Sequence, residues 1–397
     1  MRSVFFFPSF PPVVLAHDTL RGKAANTRSA RLAFVALLES GKHSTKVSDE
    51  LAPPVSPGGA VKRYPLTSIL FCDIMISTLR HRWYDSYYEK ECFMKIATTT
   101  GDFSFYCSTD EERIRELHRA GFRYIDLNMY SFTPECNYMK DDWKEAVYRI
   151  KDVSDELGMQ FVQAHSQGGN PLSEDPAHVD FLLKATLRSI EICEFLGIKN
   201  TVVHNGFAKG LSKEEWFVKN KEFYEKLFPT MERCGVNVLC ENSTKSNMGD
   251  SYFINTGKDM VEFIKCVDHP MIHACWDTGH ANCEGSQYDE IMALGDELYA
   301  IHYNDNHGLK DDHVAPFLGR LNHDEVMTAL IDVGFKGYFT LECDSSLIKY
   351  NKWTGVRRRF EGNQKLREPQ LFMQRHIEAM MYETAKWMLE QYGVFES

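Results

Sequence analysis

Val236-Asn-Val-Leu-Cys-Glu241 is a short apolar run that ends in a carboxylate, and five similar runs occur elsewhere in the chain. Each run ends in histidine, aspartate or glutamate, and successive end residues lie 25 to 40 positions apart. The other five runs are 161–165, 201–204, 273–277, 299–302 and 338–342. A strand, a crossover helix and two short loops need about that much chain, so the spacing indicates repeated βα units.

The pattern extends to both sides of these runs and predicts eight strands that alternate with eight helices. The predicted strands are 94–100, 122–128, 159–165, 199–204, 236–241, 270–277, 298–303 and 337–343. The predicted helices lie near 109–120, 141–157, 175–197, 212–234, 256–267, 286–295, 322–334 and 368–392. This order favours an α/β fold of the (β/α)8 TIM barrel class. A doubly wound open sheet is the alternative, but no Gly-rich phosphate loop follows the first strand.

Residues 1–93 differ from the rest of the chain. They contain a Pro/Gly stretch at 53–59 and no sustained period of either kind, which predicts a disordered N-terminal extension outside the fold. The regular pattern begins abruptly at Met94. We therefore expect two segments, an extension over 1–93 and a barrel over 94–397.

Composition narrows the class of protein. The 397 residues are 43% hydrophobic and 25% charged, as in globular proteins with a full core. A net charge of -11 argues against a general nucleic-acid binder. No apolar run approaches the roughly 20 residues of a membrane span. The 11 cysteines form no Cys-x-x-Cys pair, which indicates free thiols and a cytoplasmic location.

The end residues of the six runs are expected to meet. In a closed parallel barrel every strand points its C-terminal end at the same face, so three histidines and three acidic residues converge there. Imidazole and carboxylate ligands suit Mn²⁺, Co²⁺, Mg²⁺ or Zn²⁺, whereas a thiolate-rich set would indicate structural zinc. The sequence therefore predicts a catalytic metal site.

Two local motifs, Asp277-Thr-Gly-His280 and Asp311-Asp-His313, strengthen that prediction, and with them the sequence resembles the xylose-isomerase-like barrel superfamily over residues 94–392. The superfamily includes sugar phosphate isomerases and epimerases as well as type IV abasic-site endonucleases. Resemblance to the epimerase branch implies one divalent metal ion, with Mn²⁺ as first choice and Co²⁺, Mg²⁺ or Zn²⁺ as alternatives. The ligands that it implies are Glu241, Asp277, His302 and Glu342.

The same resemblance makes Glu241 and Glu342 the acid/base pair and lets His280 touch a substrate oxygen. The other expected substrate-binding residues are His165, His204, Asp311 and His313. For His165 and His204, direct contact with the metal is an alternative of equal weight to substrate binding. A base on one side of a carbon and an acid that returns the proton suit metal-assisted proton transfer next to a carbonyl, through an enediolate.

The predicted substrate is therefore a sugar or sugar phosphate, and the predicted partner is this small molecule, with no membrane and no nucleic acid. A homo-oligomer is compatible with the sequence. A basic stretch at 349–367 is interpreted as a solvated loop or a subunit contact, with binding of a substrate phosphate or carboxylate as the alternative.

Two other functions remain open. A type IV abasic-site endonuclease binds three zinc ions through nine ligands, and nine residues match: His165, His204, Glu241, Asp277, His280, His302, Asp311, His313 and Glu342. However, segment 314–320 lacks the Gly-Glu-Gly turn of that family, and 131–140 offers one lysine and no arginine to a duplex backbone. A lyase or dehydratase acting on a keto-sugar, an inosose or an oxidised C-glycoside would begin with the same deprotonation.

Overall fold

Eight parallel strands form the centre of the protein, in a computed structural model that describes residues 92–347 and 369–397. The strands are β1 (Met94–Thr99), β2 (Tyr124–Asn128), β3 (Gln160–His165), β4 (Asn200–Val202), β5 (Asn237–Glu241), β6 (Ile272–Asp277), β7 (Leu298–His302) and β8 (Gly337–Leu341). From β1 to β7 each strand pairs with its neighbours in sequence, and β1 also pairs with β8. The eight predicted strands and the barrel fold are confirmed.

Backbone bonds on Tyr303 join β7 to β8. Its N–H donates to Thr340 O at 2.7 Å, and its carbonyl accepts from Glu342 N at 3.1 Å. The sheet therefore closes directly beside His302 and Glu342, the end residues of the last two runs. Closure holds these two side chains at one face of the barrel.

Helices surround the strands. They are α1 (Asp110–Ala120), α2 (Trp143–Leu157), α3 (Pro176–Leu196), α4 (Lys213–Glu225), α5 (Phe228–Cys234), α6 (Lys245–Met248), α7 (Gly257–Val267), α8 (Thr278–Glu284), α9 (Tyr288–Leu294), α10 (His323–Val333) and α11 (Leu371–Gln391). Short 3-10 helices lie at Thr100–Phe103, Asn137–Met139, Gly249–Ser251 and Gly295–Glu297. A capping box between Thr109 and Glu112 fixes the start of α1.

The helix predicted over 212–234 is in fact two helices, α4 and α5, so that prediction is wrong in its continuity. Pro229 lies in the first turn of α5 and has no N–H to continue the hydrogen-bond ladder of α4. The chain therefore restarts a helix at Phe228, where the missing donor has no cost.

The interior of the barrel changes from apolar to polar along β4 to β7. Side chains two residues apart in a strand share a face. Leu239, Cys275 and Ala300 accordingly lie below Glu241, Asp277 and His302, and with Val202 they form a small buried apolar layer. This layer is the floor of the candidate site. The larger core lies between the strands and the outer helices.

Some of the predictions concern residues that the structure does not describe. The N-terminal extension and the basic stretch at 349–367 lie outside them, and the division at residue 94 stays a prediction. Within residues 92–347 and 369–397, the cysteines form no disulfide bond. In the same residues, no helix combines the length and the apolar character that crossing a bilayer requires.

Candidate metal centre

Glu241, Asp277, His302 and Glu342 meet at the C-terminal face of the barrel. One ligand atom of each lies within 4.8 Å of the others. His302 Nδ1 lies 2.6 Å from Glu241 Oε1 and 3.3 Å from Glu342 Oε2. Glu241, Asp277 and His302 are buried, whereas 15% of the Glu342 side chain is exposed. The structure thus brings together the four residues that the sequence predicts as metal ligands.

Hydrogen bonds fix both the carboxylate and the backbone of Asp277. It is the N-cap of α8, where its Oδ1 accepts from His280 N at 2.6 Å. Asn242 accepts from Asp277 N at 2.7 Å and donates to Asp277 O at 2.9 Å. The Asp-x-x-His spacing therefore results from a helix cap, which places the His280 ring 3.5 Å from the Asp277 carboxylate.

Gly279 allows a close approach between two loops of the site. A Cβ at this position would lie 1.8 Å from Asn304 Oδ1. Asn304 in turn donates to Asp277 Oδ2 at 2.8 Å. Any larger residue at 279 would move the amide that orients Asp277, which explains the glycine inside the motif.

Asp126 and Gln163 belong to the site but were missed by the sequence analysis. Asp126 Oδ2 lies 3.3 Å from His302 Nε2 and accepts from Gln163 Nε2 at 2.7 Å, and all three residues are buried. This contact turns Nδ1 of His302 toward Glu241 and Glu342, as a carboxylate behind a metal-ligating histidine does. The available signal was a carboxylate inside the apolar strand β2.

His165 and His204 both turn their Nε2 atoms to Glu241. The distance to Glu241 Oε2 is 2.6 Å from His204 and 3.7 Å from His165. The two Nε2 atoms are 3.1 Å apart. His165, Glu241 and His302 also form a group with metal-ligand spacing. Both histidines are therefore placed for metal or for substrate contact, as the sequence left open.

His280, Asp311 and His313 form a second group beside the first. Asp311 lies 3.1 Å from His280 Nε2 and 3.0 Å from His313 Nε2. His313 has φ 45, in the left-handed region that a histidine rarely adopts, and its Nδ1 lies 3.1 Å from Glu342 O. Such backbone strain is common at functional sites. The three ligand atoms have metal-ligand spacing.

Charge pairing dominates the electrostatics of the site. Burial by itself raises the pKa of Glu241, but His302, His165 and His204 outweigh it and hold that pKa well below its ordinary value. Burial lowers the pKa of His280. The charges of Asp277 and Asp311 raise it, and the pKa reaches about 10. The Glu241 carboxylate is thus stabilised by positive charge at the imidazoles, whereas burial raises the pKa of Asp277 to about 6.

This donor set fits a divalent metal ion. Three carboxylates and the Asp126-oriented imidazole converge on one point, and they are the ligand types that Mn²⁺, Co²⁺, Mg²⁺ and Zn²⁺ accept. A ligand histidine binds a metal as neutral imidazole, so an ion would take the place of the imidazole protons that now stabilise the carboxylates. Glu241, Asp277, His302 and Glu342 are the residues that would hold it.

A cavity of about 470 Å³ lies over these groups. His165, His204, Glu241, His280 and Glu342 line one end. A reacting molecule in the cavity would therefore contact both glutamates.

The comparisons with known proteins agree with this architecture. A curated D-psicose 3-epimerase from Ruminiclostridium cellulolyticum is 28% identical over 34% of this chain and 44% of that protein. A probable endonuclease 4 from Mesomycoplasma hyopneumoniae is 30% identical over 43% of this chain and 59% of that protein. The chain thus spans less than two thirds of each of these relatives.

A solved structure, the IOLI protein with a zinc atom, superposes with a TM-score of 0.58 at 16% identity and covers 75% of this chain and 99% of that one. At this identity the likeness shows the fold alone. A sequence model of a whole family, described as the xylose isomerase-like TIM barrel, matches residues 114–375. Since this match covers more than half of the residues, the chain belongs to the xylose isomerase-like TIM barrel family.

Proposed function

We propose that the protein is a metal-dependent sugar isomerase or epimerase that moves a proton at a carbon next to a carbonyl. The observation that carries this proposal is the placement of Glu241 and Glu342. Their carboxylates approach the same imidazole nitrogen, at 2.6 Å and 3.3 Å, and both line the cavity. Two carboxylates at one reacting carbon can act as base and acid.

Glu342 is the residue to which we assign removal of the proton. It is more exposed to the cavity than Glu241, whose carboxylate is in contact with three imidazoles. A carboxylate that is held by fewer hydrogen-bond donors is more available to a proton of the substrate. Glu241 is ionised, so from its side of the carbon it passes on a proton that it takes from a neighbouring protonated imidazole such as His165, while Glu342 keeps the proton that it removed. His280 contacts a substrate oxygen. The metal ion, when bound, polarises the carbonyl oxygen and stabilises the negative charge that develops there.

The named relative supports a sugar as substrate. The matched part of the D-psicose 3-epimerase covers 44% of that protein, so its activity enters as a proposal for this chain. The proposal leaves isomerisation and epimerisation as two outcomes of the same first step.

Solvent exchange tests the proposal directly. The full chain, freed of metal with a chelator and reloaded with Mn²⁺, is incubated in D₂O with a panel of ketohexoses that includes D-psicose. We expect interconversion of sugars and incorporation of deuterium at the carbon next to the carbonyl, both dependent on the metal. Absence of both reactions with every ketose and with Mn²⁺, Co²⁺, Mg²⁺ and Zn²⁺ would contradict it.

The second candidate function is an abasic-site endonuclease, and one observation favours it. The described residues contain three groups with metal-ligand spacing, and two of these groups share Glu241 and His302. Together with His204 they include all nine residues that match the endonuclease pattern. Cleavage of duplex DNA that carries one abasic site, with intact duplex as control, tests this function. Cleavage without any sugar turnover would replace our first proposal.

A further inference from the structure

The cavity continues beyond the metal centre. Besides the residues of the metal centre, its lining includes Asp110 and Arg113 from the first turn of α1 and Tyr138 from the loop between β2 and α2, and we call this part of the cavity its far end. Its volume of about 470 Å³ lies in the range of roughly 300 to 1,000 Å³ that encloses ligands of drug size. A single sugar ring that reacts between Glu241 and Glu342 would leave this far end unused.

Tyr130 is a fixed aromatic wall between the two ends. Its ring stands edge-on to His165 at 5.2 Å and to His204 at 5.6 Å. Its carbonyl accepts from Gly168 N at 3.0 Å, and a Cβ on Gly168 would lie 2.2 Å from the Tyr130 ring. The residue is nevertheless 42% exposed. An exposed ring held in this way offers an apolar face to one side of a sugar.

Asp110 organises the far end. It accepts from Tyr138 Oη at 2.7 Å and from Arg113 Nη1 at 2.8 Å. The carboxylate thus orients a phenol and a guanidinium and also neutralises the latter. A second carboxylate, Asp344, lines the cavity as well. This combination of donors and acceptors without excess positive charge suits hydroxyl groups and opposes a phosphate dianion.

We propose that Tyr130, Asp110, Arg113 and Tyr138 form a second binding subsite for an uncharged, hydroxyl-rich group that is linked to the reacting sugar. The preferred substrate is then a glycosylated sugar, ahead of a free monosaccharide or a sugar phosphate. This inference rests on the proposed isomerase or epimerase function, because the reacting carbons define which part of the substrate reaches the far end.

Three ketoses with the same reacting carbons test the subsite. D-fructose, isomaltulose (fructose with glucosyl at O6) and D-fructose 6-phosphate differ at the position most remote from those carbons. We expect kcat/KM for isomaltulose to exceed that for fructose by about tenfold or more, the equivalent of one good additional interaction, with the phosphate poorest. Equal values for fructose and isomaltulose, or a preference for the phosphate, would overturn the proposal.

A variant of Tyr138 shows whether the far end of the cavity causes the preference for isomaltulose. Tyr138→Phe keeps the ring stacked on Phe132, at 5.3 Å between centroids, and removes only the hydroxyl. We expect it to reduce the ratio of kcat/KM between isomaltulose and fructose at least about threefold, the loss of roughly one hydrogen bond. Tyr148→Phe on α2, where the ring is exposed, is the matched control and should leave the ratio unchanged. An unchanged ratio in Tyr138→Phe as well would contradict the subsite.

A binding experiment separates the subsite from the reaction. Isomaltulose and fructose are titrated calorimetrically into the Mn²⁺-loaded Glu342→Gln variant, in which the proposed base is missing. Tighter binding of isomaltulose, weakened by Tyr138→Phe, would support the subsite even if no ketose is turned over, and would then leave only the proposed reaction in error. Equal binding of the two sugars would overturn the subsite whether or not fructose is turned over.

Discussion

Single residues of the site were predictable where burial makes a charge expensive. A carboxylate that ends an apolar strand has no inexpensive structural explanation, and this argument identified Glu241 and Glu342. The same argument applies to Asp126, which the sequence analysis missed because it lies within β2 and not after it. Its partner His302 is 176 positions away, and no local pattern reports such a contact. Closure of the barrel creates the pair.

Asp126→Asn is expected to weaken metal binding about tenfold to a hundredfold, because the carboxylate fixes the ring of His302 and increases its basicity as a ligand. The measurement is a competition titration with a chromophoric chelator and Mn²⁺ or Zn²⁺. Asp152→Asn, at an exposed position on α2, is the control with the same change of charge. An affinity that is equal in both variants would remove Asp126 from the site.

Glu342→Gln is expected to reduce kcat by about 10² to 10⁴, the usual contribution of a positioned base. The fold should persist, because the amide preserves the shape of the side chain and part of it already contacts solvent. Deuterium incorporation from D₂O measures the proton step, and circular dichroism measures the fold. Glu390→Gln at the exposed end of α11 is the control. Full activity of Glu342→Gln would exclude Glu342 as the base.

At the scale of helices and strands, periodicity was sufficient wherever an element is long. All eight strands and the helices around them follow from alternation and from 3.6-residue spacing. The failures have local causes. Pro229 divides one predicted helix, and α8, with seven residues, is too short to produce a periodic signal. What forms α8 is the cap at Asp277, a metal-ligand candidate, so chemistry and local structure depend on the same side chain.

Helix α11 carries a buried carboxyl group that makes stability depend on pH. Burial raises the pKa of Glu378 to about 8, while hydrogen bonds from Gln374 and Asp102 oppose that rise. The folded state therefore keeps a proton that the unfolded chain releases at its ordinary pKa. The free energy of unfolding then falls by up to about 1.4 kcal/mol per pH unit as the pH rises from the ordinary pKa of a glutamate toward 8.

The side chain of glutamine does not ionise. We therefore expect the free energy of unfolding of Glu378→Gln to fall less between pH 5 and pH 8 than that of the original chain. The measurement is urea unfolding at both pH values. Glu383→Gln, at an exposed position on the same helix, is the control and should behave like the unchanged chain. Parallel losses in the unchanged chain and in Glu378→Gln would show that Glu378 is not the group responsible.

At the scale of the whole molecule, the closed barrel is what made the site predictable. Eight strand ends point to one face, so residues separated by more than a hundred positions become neighbours. The number of metal ions was not predictable in this way. Two of the three ligand groups share Glu241 and His302, and the spacing of the groups is compatible with one occupied position or with several.

The metal content per chain shows whether the protein binds one ion or several. We expect elemental mass spectrometry of the full chain to give close to one divalent ion, held by Glu241, Asp277, His302 and Glu342, since two shared ligands cannot easily serve several ions in an enzyme that also needs them for proton transfer. His313→Ala should then keep that one ion and part of the turnover, because His313 is not one of the four ligands and its ring nitrogens contact Asp311 and the Glu342 carbonyl. Close to three zinc ions, reduced toward two by His313→Ala with loss of DNA cleavage, would instead establish the endonuclease.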